Sequence, residues 1–291
     1  MARNQNHVSL PRSTALRSQG QTPPGISFIL YQLFAYLRYW LLRSGNAHGL
    51  HSPFVFGLYT TVIRHTGEYQ AFPRIEKRRL ELLTSDQVLD VTDFGAGSQV
   101  AGAGGRRRPV RNIARHAAKP PRLSQLLFRL VNHFRPATVL ELGTSLGLTT
   151  AYLALADSRS QVITFEGCPN TAAVARQTFA SVGIKNARLV EGNLDQTLPA
   201  TLAGLAQPLD FVFFDGNHRY EPTLRYFEAC LANAHENSVF VLDDIHWSAE
   251  MERAWEAIKA HPSVTVTIDL FYVGLVFFRK KQRREDFWLR Y

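Results

Sequence analysis

Several short groups of residues in this 291-residue chain have the types and spacing to do chemistry. Asp215-Gly216-Asn217-His218 sets an imidazole three residues after a carboxylate, and Asp243-Asp244 puts two carboxylates side by side. Glu141 stands two residues before Gly143, which is followed by Thr144, Ser145 and then Gly147. Glu166 comes about twenty residues past those glycines, where a carboxylate can accept from ribose hydroxyls, and Gly192-Asn193 follows in turn. Glycines so spaced let a ligand touch bare backbone at a helix N-terminus, so the pattern points to an adenosyl ligand. Three carboxylates gathered in one cleft call for a cation to offset them, and their oxygens suit a hard ion such as Mg²⁺ or Ca²⁺. Each has a plainer role if it stands alone: Asp215 capping a loop, Asp243-Asp244 capping the next helix.

The elements around these groups decide whether they meet. Each group follows an apolar run, and the runs predict strands near 138–142, 161–165, 187–191, 209–214 and 238–242, with helical segments after each. A further helix is expected over 123–134, from Leu123, Leu126, Leu127, Leu130, Val131 and Phe134, ending before Pro136. Strands separated by helices imply a parallel sheet, which binds ligands beyond the carboxyl ends of its strands. All the groups above fall there. Two last strands, near 264–270 and 272–279, are joined by too short a turn to run parallel and must form an antiparallel hairpin.

The glycine pattern narrows the ligand. A dinucleotide fingerprint, G-x-G-x-x-G, needs a middle glycine for the pyrophosphate. Here that glycine is missing, and the Glu141 carboxylate would repel a phosphate while suiting a ligand with cationic groups. At this point the chain resembles the class I S-adenosylmethionine-dependent methyltransferases, whose first motif commonly reads E/D-x-G-x-x-x-G. The resemblance implies an α/β fold with a Rossmann-like seven-stranded sheet, five strands parallel plus the C-terminal hairpin, behind a mainly helical N-terminal extension. It implies S-adenosylmethionine as cofactor, held by Glu141, Gly143, Thr144, Ser145 and Gly147 at its methionine end, by Glu166 at the ribose, and by Gly192, Asn193 and Asp215 further along.

The two Asp motifs look like those of the cation-dependent O-methyltransferases of the catechol and caffeoyl-CoA type. By that likeness Asp215, Asp243 and Asp244 would ligate Mg²⁺ or another divalent cation, which would hold an acceptor hydroxyl. Where that family commonly has a lysine base, this chain has His218, and Asp215 with His218 becomes the expected catalytic pair; imidazole can serve as base near neutral pH. D-G-x-H is also frequent in related bacterial methyltransferases. The implied function is O-methylation of a small hydroxylated acceptor. Two alternatives stand beside it: a metal-independent methyltransferase acting on sugar, nitrogen or RNA, and a non-catalytic binding module of the same fold. The intact set of Glu141, Gly143, Gly147 and Glu166 argues against the last.

Charge is uneven along the chain. Residues 1–138 carry 19 Lys/Arg against 6 Asp/Glu, residues 139–271 carry 8 against 16, and residues 272–291 carry 6 against 2. An acidic centre between basic flanks predicts a flexible basic tail at 1–25, an accessory or lid region at 26–120, the methyltransferase domain at 121–280, and a basic tail at 281–291. Val88 to Ser98 imitates the first motif but runs into Gly102, Gly104, Gly105 and three arginines where a helix should begin. A lid or substrate loop at 95–105 fits better, in a stretch with seven Lys/Arg and no Asp/Glu from Ala101 to Arg122. Ile26 to Leu42 is apolar and aromatic, but Gln32 and Arg38 interrupt it, so a helix packed on the domain or on a second copy is expected before peripheral membrane contact. Two cysteines, Cys168 and Cys230, far apart and without a His/Cys cluster, predict neither a disulfide framework nor a zinc site and suit the cytoplasm. A small-molecule acceptor is the expected partner; nucleic acid is disfavoured.

Overall fold

The computed structural model describes residues 26–92 and 107–291. The expected basic tail at 1–25 and the glycine-rich stretch at 95–105 lie outside them. In chain order the elements are α1 (Ile26–Arg38), α2 (Pro53–Leu58), α3 (Ala71–Leu83), β1 (Val88–Asp90), β2 (Arg107–Pro109), α4 (Val110–Ala117), α5 (Pro121–Phe134), β3 (Thr138–Leu142), α6 (Leu148–Ala156), β4 (Gln161–Glu166), α7 (Pro169–Ser181), β5 (Ala187–Glu191), α8 (Leu194–Ala203), β6 (Leu209–Phe214), α9 (Tyr220–Leu231), β7 (Ala234–Asp243), α10 (Ala249–Ala260), β8 (Val266–Asp269), β9 (Val273–Phe277) and β10 (Glu285–Trp288). Wide π-type turns extend α1 through Arg43 and α2 through Ile63.

Eight strands form the main sheet in the order β10-β8-β9-β7-β6-β3-β4-β5. β3 to β7 run parallel, and β9 enters antiparallel between β7 and β8. Helices cover both faces, so all five residues of β3 are buried. Alternate residues serve opposite cores. Val139 faces the layer that includes Leu126, Leu130 and Leu153, while Leu140 and Leu142 face the layer with Phe227, Trp255 and Leu198. β3 and β4 lie beside β6 and β7, so the loops after all four strands open on one edge of the sheet.

The five parallel strands and the terminal hairpin match the expectation; the eighth strand does not. Glu285–Trp288 lies in the segment expected to be a basic tail, yet it pairs parallel with β8. Phe287 and Leu289, two apart, both point inward and are 7% and 1% exposed. That period-two signal is only two side chains long and follows Arg279 to Arg284, whose charge masks it. β10 also anchors the N-terminal region: Tyr39 Oη donates to Leu289 O (2.6 Å) and Tyr59 Oη to Arg290 O (2.9 Å). α1 docks here with Ala35 and Tyr39 buried and with Leu33, Phe34, Leu37, Trp40 and Leu41 exposed on its other side. Among the described residues no helix is long and apolar enough to cross a membrane. The imitation motif starts in β1, which pairs with β2 in a separate small sheet.

Candidate functional site

The loop after β3 is shaped by three residues at positive φ: Gly143 (118°), Ser145 (48°) and Gly147 (80°). Gly143 is required twice over, because a Cβ there would stand 2.4 Å from the Asp215 carbonyl oxygen as well as in a strained backbone. The loop is pinned to its neighbours by Thr144 N donating to Phe165 O (2.8 Å) and Asp215 N donating to Leu142 O (3.0 Å). Glu166 ties it to β4: one carboxylate oxygen accepts from Ser145 N (2.9 Å) and the other from Cys168 N (2.9 Å). Asn193 caps α8, its Oδ1 accepting from Asp195 N (2.9 Å), and Gly192 before it takes φ 123°.

These loops form one wall of a cavity of about 860 Å³. Gly143, Ser145, Glu166, Gly192, Asn193, Asp215, His218, Asp243 and Asp244 all line it, so one edge collects most of the residues singled out from the sequence. Bare backbone faces it at Gly143, Gly167, Gly192 and Gly216, and Asn217, in its wall, has a buried Oδ1 without a hydrogen-bond partner among the described residues. An adenosyl ligand with a cationic amino-acid end fits such a lining. The opposite wall comes from the segment before β3, with Ile113, His116, Ala118, Lys119 and Leu123, and from Trp247 and Tyr272.

Three predicted cofactor residues lie behind the glycine-loop wall. Gly147 packs against Phe179 and Ala175, which leave no space for a Cβ. Thr144 is buried, its hydroxyl 2.5 Å from that of Thr164. Glu141 is fully buried: Oε2 accepts from Thr150 Oγ1 and from Thr164 Oγ1 (2.6 Å), while Oε1 has no partner among the described residues. Burial pushes its carboxyl up to about 8, against the pull of the two threonines, so it is largely protonated at pH 7. The negative charge expected to repel a phosphate is therefore neither at the cavity nor fully developed. Strand alternation accounts for this, since Glu141 shares a face with Val139 and points under α6.

The acidic cluster holds the main surprise. Asp215, Asp243 and Asp244 converge as expected, but the cation among them is a residue of the chain itself. Lys119, between α4 and α5, places Nζ 3.0 Å from Asp215 Oδ1, in direct hydrogen-bonded contact with Asp243 Oδ2, and 3.9 Å from Asp244 Oδ2. Burial opposes the lysine's charge, yet the three carboxylates hold its ammonium well above the usual lysine value. Burial also raises the Asp243 carboxyl despite the lysine, and it raises Asp244 to about 6, with the Asp243 charge adding. His218 Nε2 lies 3.5 Å from Asp215 Oδ1 and 3.9 Å from Asp244 Oδ2. Burial works against its charge, but the Asp215 hydrogen bond and the neighbouring carboxylates raise the imidazole above its ordinary value. Ligand atoms of Asp215, His218 and Asp243 lie within 4.8 Å of one another, a donor set of two carboxylates and an imidazole. With the Lys119 ammonium between Asp215 and Asp243, however, a divalent ion does not fit the gap.

Nothing in the sequence pairs Lys119 with these strands; it is one cation in a run of seven. The only local signal is the following Pro120-Pro121, which fixes an extended approach and starts α5. Trp247 reaches the cavity wall, but its neighbour His246 does not. His246 is buried behind it, Nε2 2.8 Å from Asp269 Oδ2 and Nδ1 3.0 Å from Glu252 Oε1.

Comparisons with known proteins agree with this geometry. Residues 140–245 match a protein family described as "Methyltransferase domain". Over 109 residues the chain is 34% identical to catechol O-methyltransferase B of Danio rerio, a stretch covering 36% of this chain and 41% of that relative. The chain therefore matches less than half the length of that relative. Among solved structures, an O-methyltransferase from Bacillus cereus in complex with SAH aligns with a TM-score of 0.53 at 16% identity, over 77% of this chain and 96% of that one. The SAH-bound Podospora anserina methyltransferase PaMTH1 aligns with a TM-score of 0.54 at 13% identity, over 90% and 100%. At these identities the structural likeness is one of fold. With the sheet order, the glycine loop and the family match in agreement, residues 140–245 match a methyltransferase domain, on a fold shared with these solved methyltransferases.

Proposed function

We propose that this protein transfers the methyl group of S-adenosylmethionine to an oxygen of a small hydroxylated acceptor. The observation that carries the reading is the continuity of one cavity, from the glycine loop and Glu166 to Asp215, His218 and Trp247. When bound, the cofactor supplies an electrophilic methyl group on a sulfonium sulfur. The backbone at Gly143 and Ser145 receives its amino-acid end, Glu166 accepts from the ribose hydroxyls, and Gly192 and Asn193 border the base. The acceptor lies on the other side, against Trp247, Tyr272 and Leu123. His218 takes the proton of its hydroxyl, and Asp215, 3.5 Å from Nε2, orients the imidazole. Apolar walls and a fixed approach of the two reactants supply the rest of the acceleration.

Two measurements test this. Calorimetry with S-adenosylhomocysteine and with NAD should give binding for the first and none for the second. Label transfer from methyl-labelled S-adenosylmethionine, assayed against a panel of catechols and other small phenols, should then identify an acceptor. Absence of S-adenosylhomocysteine binding by the folded protein sinks the reading. Transfer confined to amines or RNA would keep the cofactor and reject the oxygen acceptor.

A further inference from the structure

Three carboxylates at the ends of β6 and β7 would repel one another in a partly closed cleft unless something positive sat among them. In this chain that charge is carried by the segment Ala118-Lys119-Pro120, which links α4 to α5. The lysine side chain is 14% exposed, Asp215 13% and Asp243 1%, so the contact is largely withdrawn from water. The arrangement is held from both ends. α4 packs on α3 and α5 on α6, and Ala118 and Pro120 are both extended, which aims the side chain between them at the strand ends. Lys119 also lies outside residues 140–245, so it comes from a part of the chain that the methyltransferase match does not include.

We propose that Lys119 is a built-in cation that takes the position a divalent metal would occupy among Asp215, Asp243 and Asp244, and that it presents a hydrogen-bond donor to the acceptor oxygen. An ammonium has three N–H bonds. Asp243 accepts one, Asp215 and Asp244 oxygens stand 3.0 and 3.9 Å from the nitrogen, and Lys119 also lines the cavity, where the ammonium can donate to a ligand. The acceptor oxygen would then sit between the Lys119 ammonium, which favours its negative charge, and His218, which removes its proton. A metal-dependent site reaches the same end with an exchangeable ion; here the cation is covalently tethered and cannot be chelated. The filling of the carboxylate gap does not depend on the methyl-transfer reading, whereas the donation to the acceptor rests on it.

The experiment is a titration of the full chain with Mn²⁺, followed by paramagnetic resonance and calorimetry, in wild type, Lys119→Ala and Lys119→Met. Wild type should bind Mn²⁺ no better than an ordinary acidic surface does. Both variants, left with three uncompensated carboxylates, should bind it about tenfold or more tightly, and Asp243→Asn in the Lys119→Ala background should remove the gain. Turnover of wild type should persist in excess EDTA, while any residual turnover of Lys119→Ala should respond to added Mn²⁺ or Mg²⁺. Wild type binding Mn²⁺ as tightly as the variants, or losing turnover in EDTA, overturns the proposal. If Lys119→Ala does not fold, Lys119→Met retains most of the stem for the same comparison, and tight binding by wild type still overturns the proposal by itself. Failure to bind S-adenosylhomocysteine with the Mn²⁺ pattern intact would remove the function and leave the tethered cation standing.

Discussion

The two halves of the cavity are held in shape by different physics. On the β3–β5 side the walls are backbone: loops at positive φ, a glycine with no room for a Cβ, and a carboxylate clamped by two amide N–H groups. On the β6–β7 side the walls are side chains balanced by charge, with Lys119 and His218 set against Asp215, Asp243 and Asp244. Backbone sites tolerate changes of ionic state and fail by steric insult. Charge-balanced sites keep their fold under conservative substitution and respond to pH and to the sign of the residue replaced. A substitution confined to one half should therefore leave the other half measurably intact.

The largest effect should come from His218. His218→Ala is expected to lower kcat by about 10²–10⁴ while leaving S-adenosylhomocysteine affinity unchanged, because the base acts only on the acceptor. In wild type the neighbouring carboxylates raise the imidazole above its ordinary value, and only the neutral ring can take a proton. The rate should thus rise with pH through a midpoint above that of a free histidine, and fall below it as the ring protonates. A flat pH–rate profile, or a loss of cofactor affinity in the variant, would break the separation of the halves.

Gly143→Ala is the matching insult on the backbone side. The added Cβ meets the Asp215 carbonyl at a φ that an L-residue adopts only with strain, so about 3 kcal/mol, or roughly a hundredfold, should be lost from cofactor binding or from stability. Because the clash is with the strand-end residue of the other half, this is the one substitution expected to disturb both. Glu166→Ala should cost less, about 1–3 kcal/mol of S-adenosylhomocysteine affinity, the scale of ribose hydrogen bonds left unmade. Unchanged affinity in Glu166→Ala would remove that carboxylate from the ligand's contacts.

How much of this the sequence disclosed follows the same division. Strand ends followed by Gly143, Glu166 and Asn193 could be read because backbone-built sites need particular residues at particular chain spacings. The convergence of Asp215 with Asp243-Asp244 was legible from topology, since parallel strands bring their carboxyl ends together. Lys119 was not, because its partners lie about a hundred residues and more away and its neighbours Arg115 and Arg122 look the same in composition. β10 was hidden for a related reason: its two inward side chains mean something only beside a β8 edge that needs covering. Glu141 teaches the reverse lesson. The motif suggested a ligand contact, but alternation with the buried Val139 already assigned it to the interior.

Glu141 thus belongs to neither half, and the smallest predicted effect is the cleanest check of that. Its carboxyl has an ordinary value of 4.5 when unfolded and is raised to about 8 by burial in the native state. A raised native value means that the folded chain holds a proton the unfolded chain has released. The stability Glu141 contributes is complete below pH 4.5 and is lost progressively until the pH passes about 8. Glu141→Gln keeps a neutral, hydrogen-bonding side chain against Thr150 and Thr164 and has no proton to lose. The difference in Tm between variant and wild type should therefore become more positive from pH 5 to pH 8. Relaxation around a buried group should hold the corresponding change in stability to about 2 kcal/mol. S-Adenosylhomocysteine affinity at pH 7 should stay within about twofold of wild type, since no ligand contact is removed. A large loss of affinity without a change in stability would return Glu141 to the cofactor's contacts and extend the ligand-binding wall beneath the glycine loop.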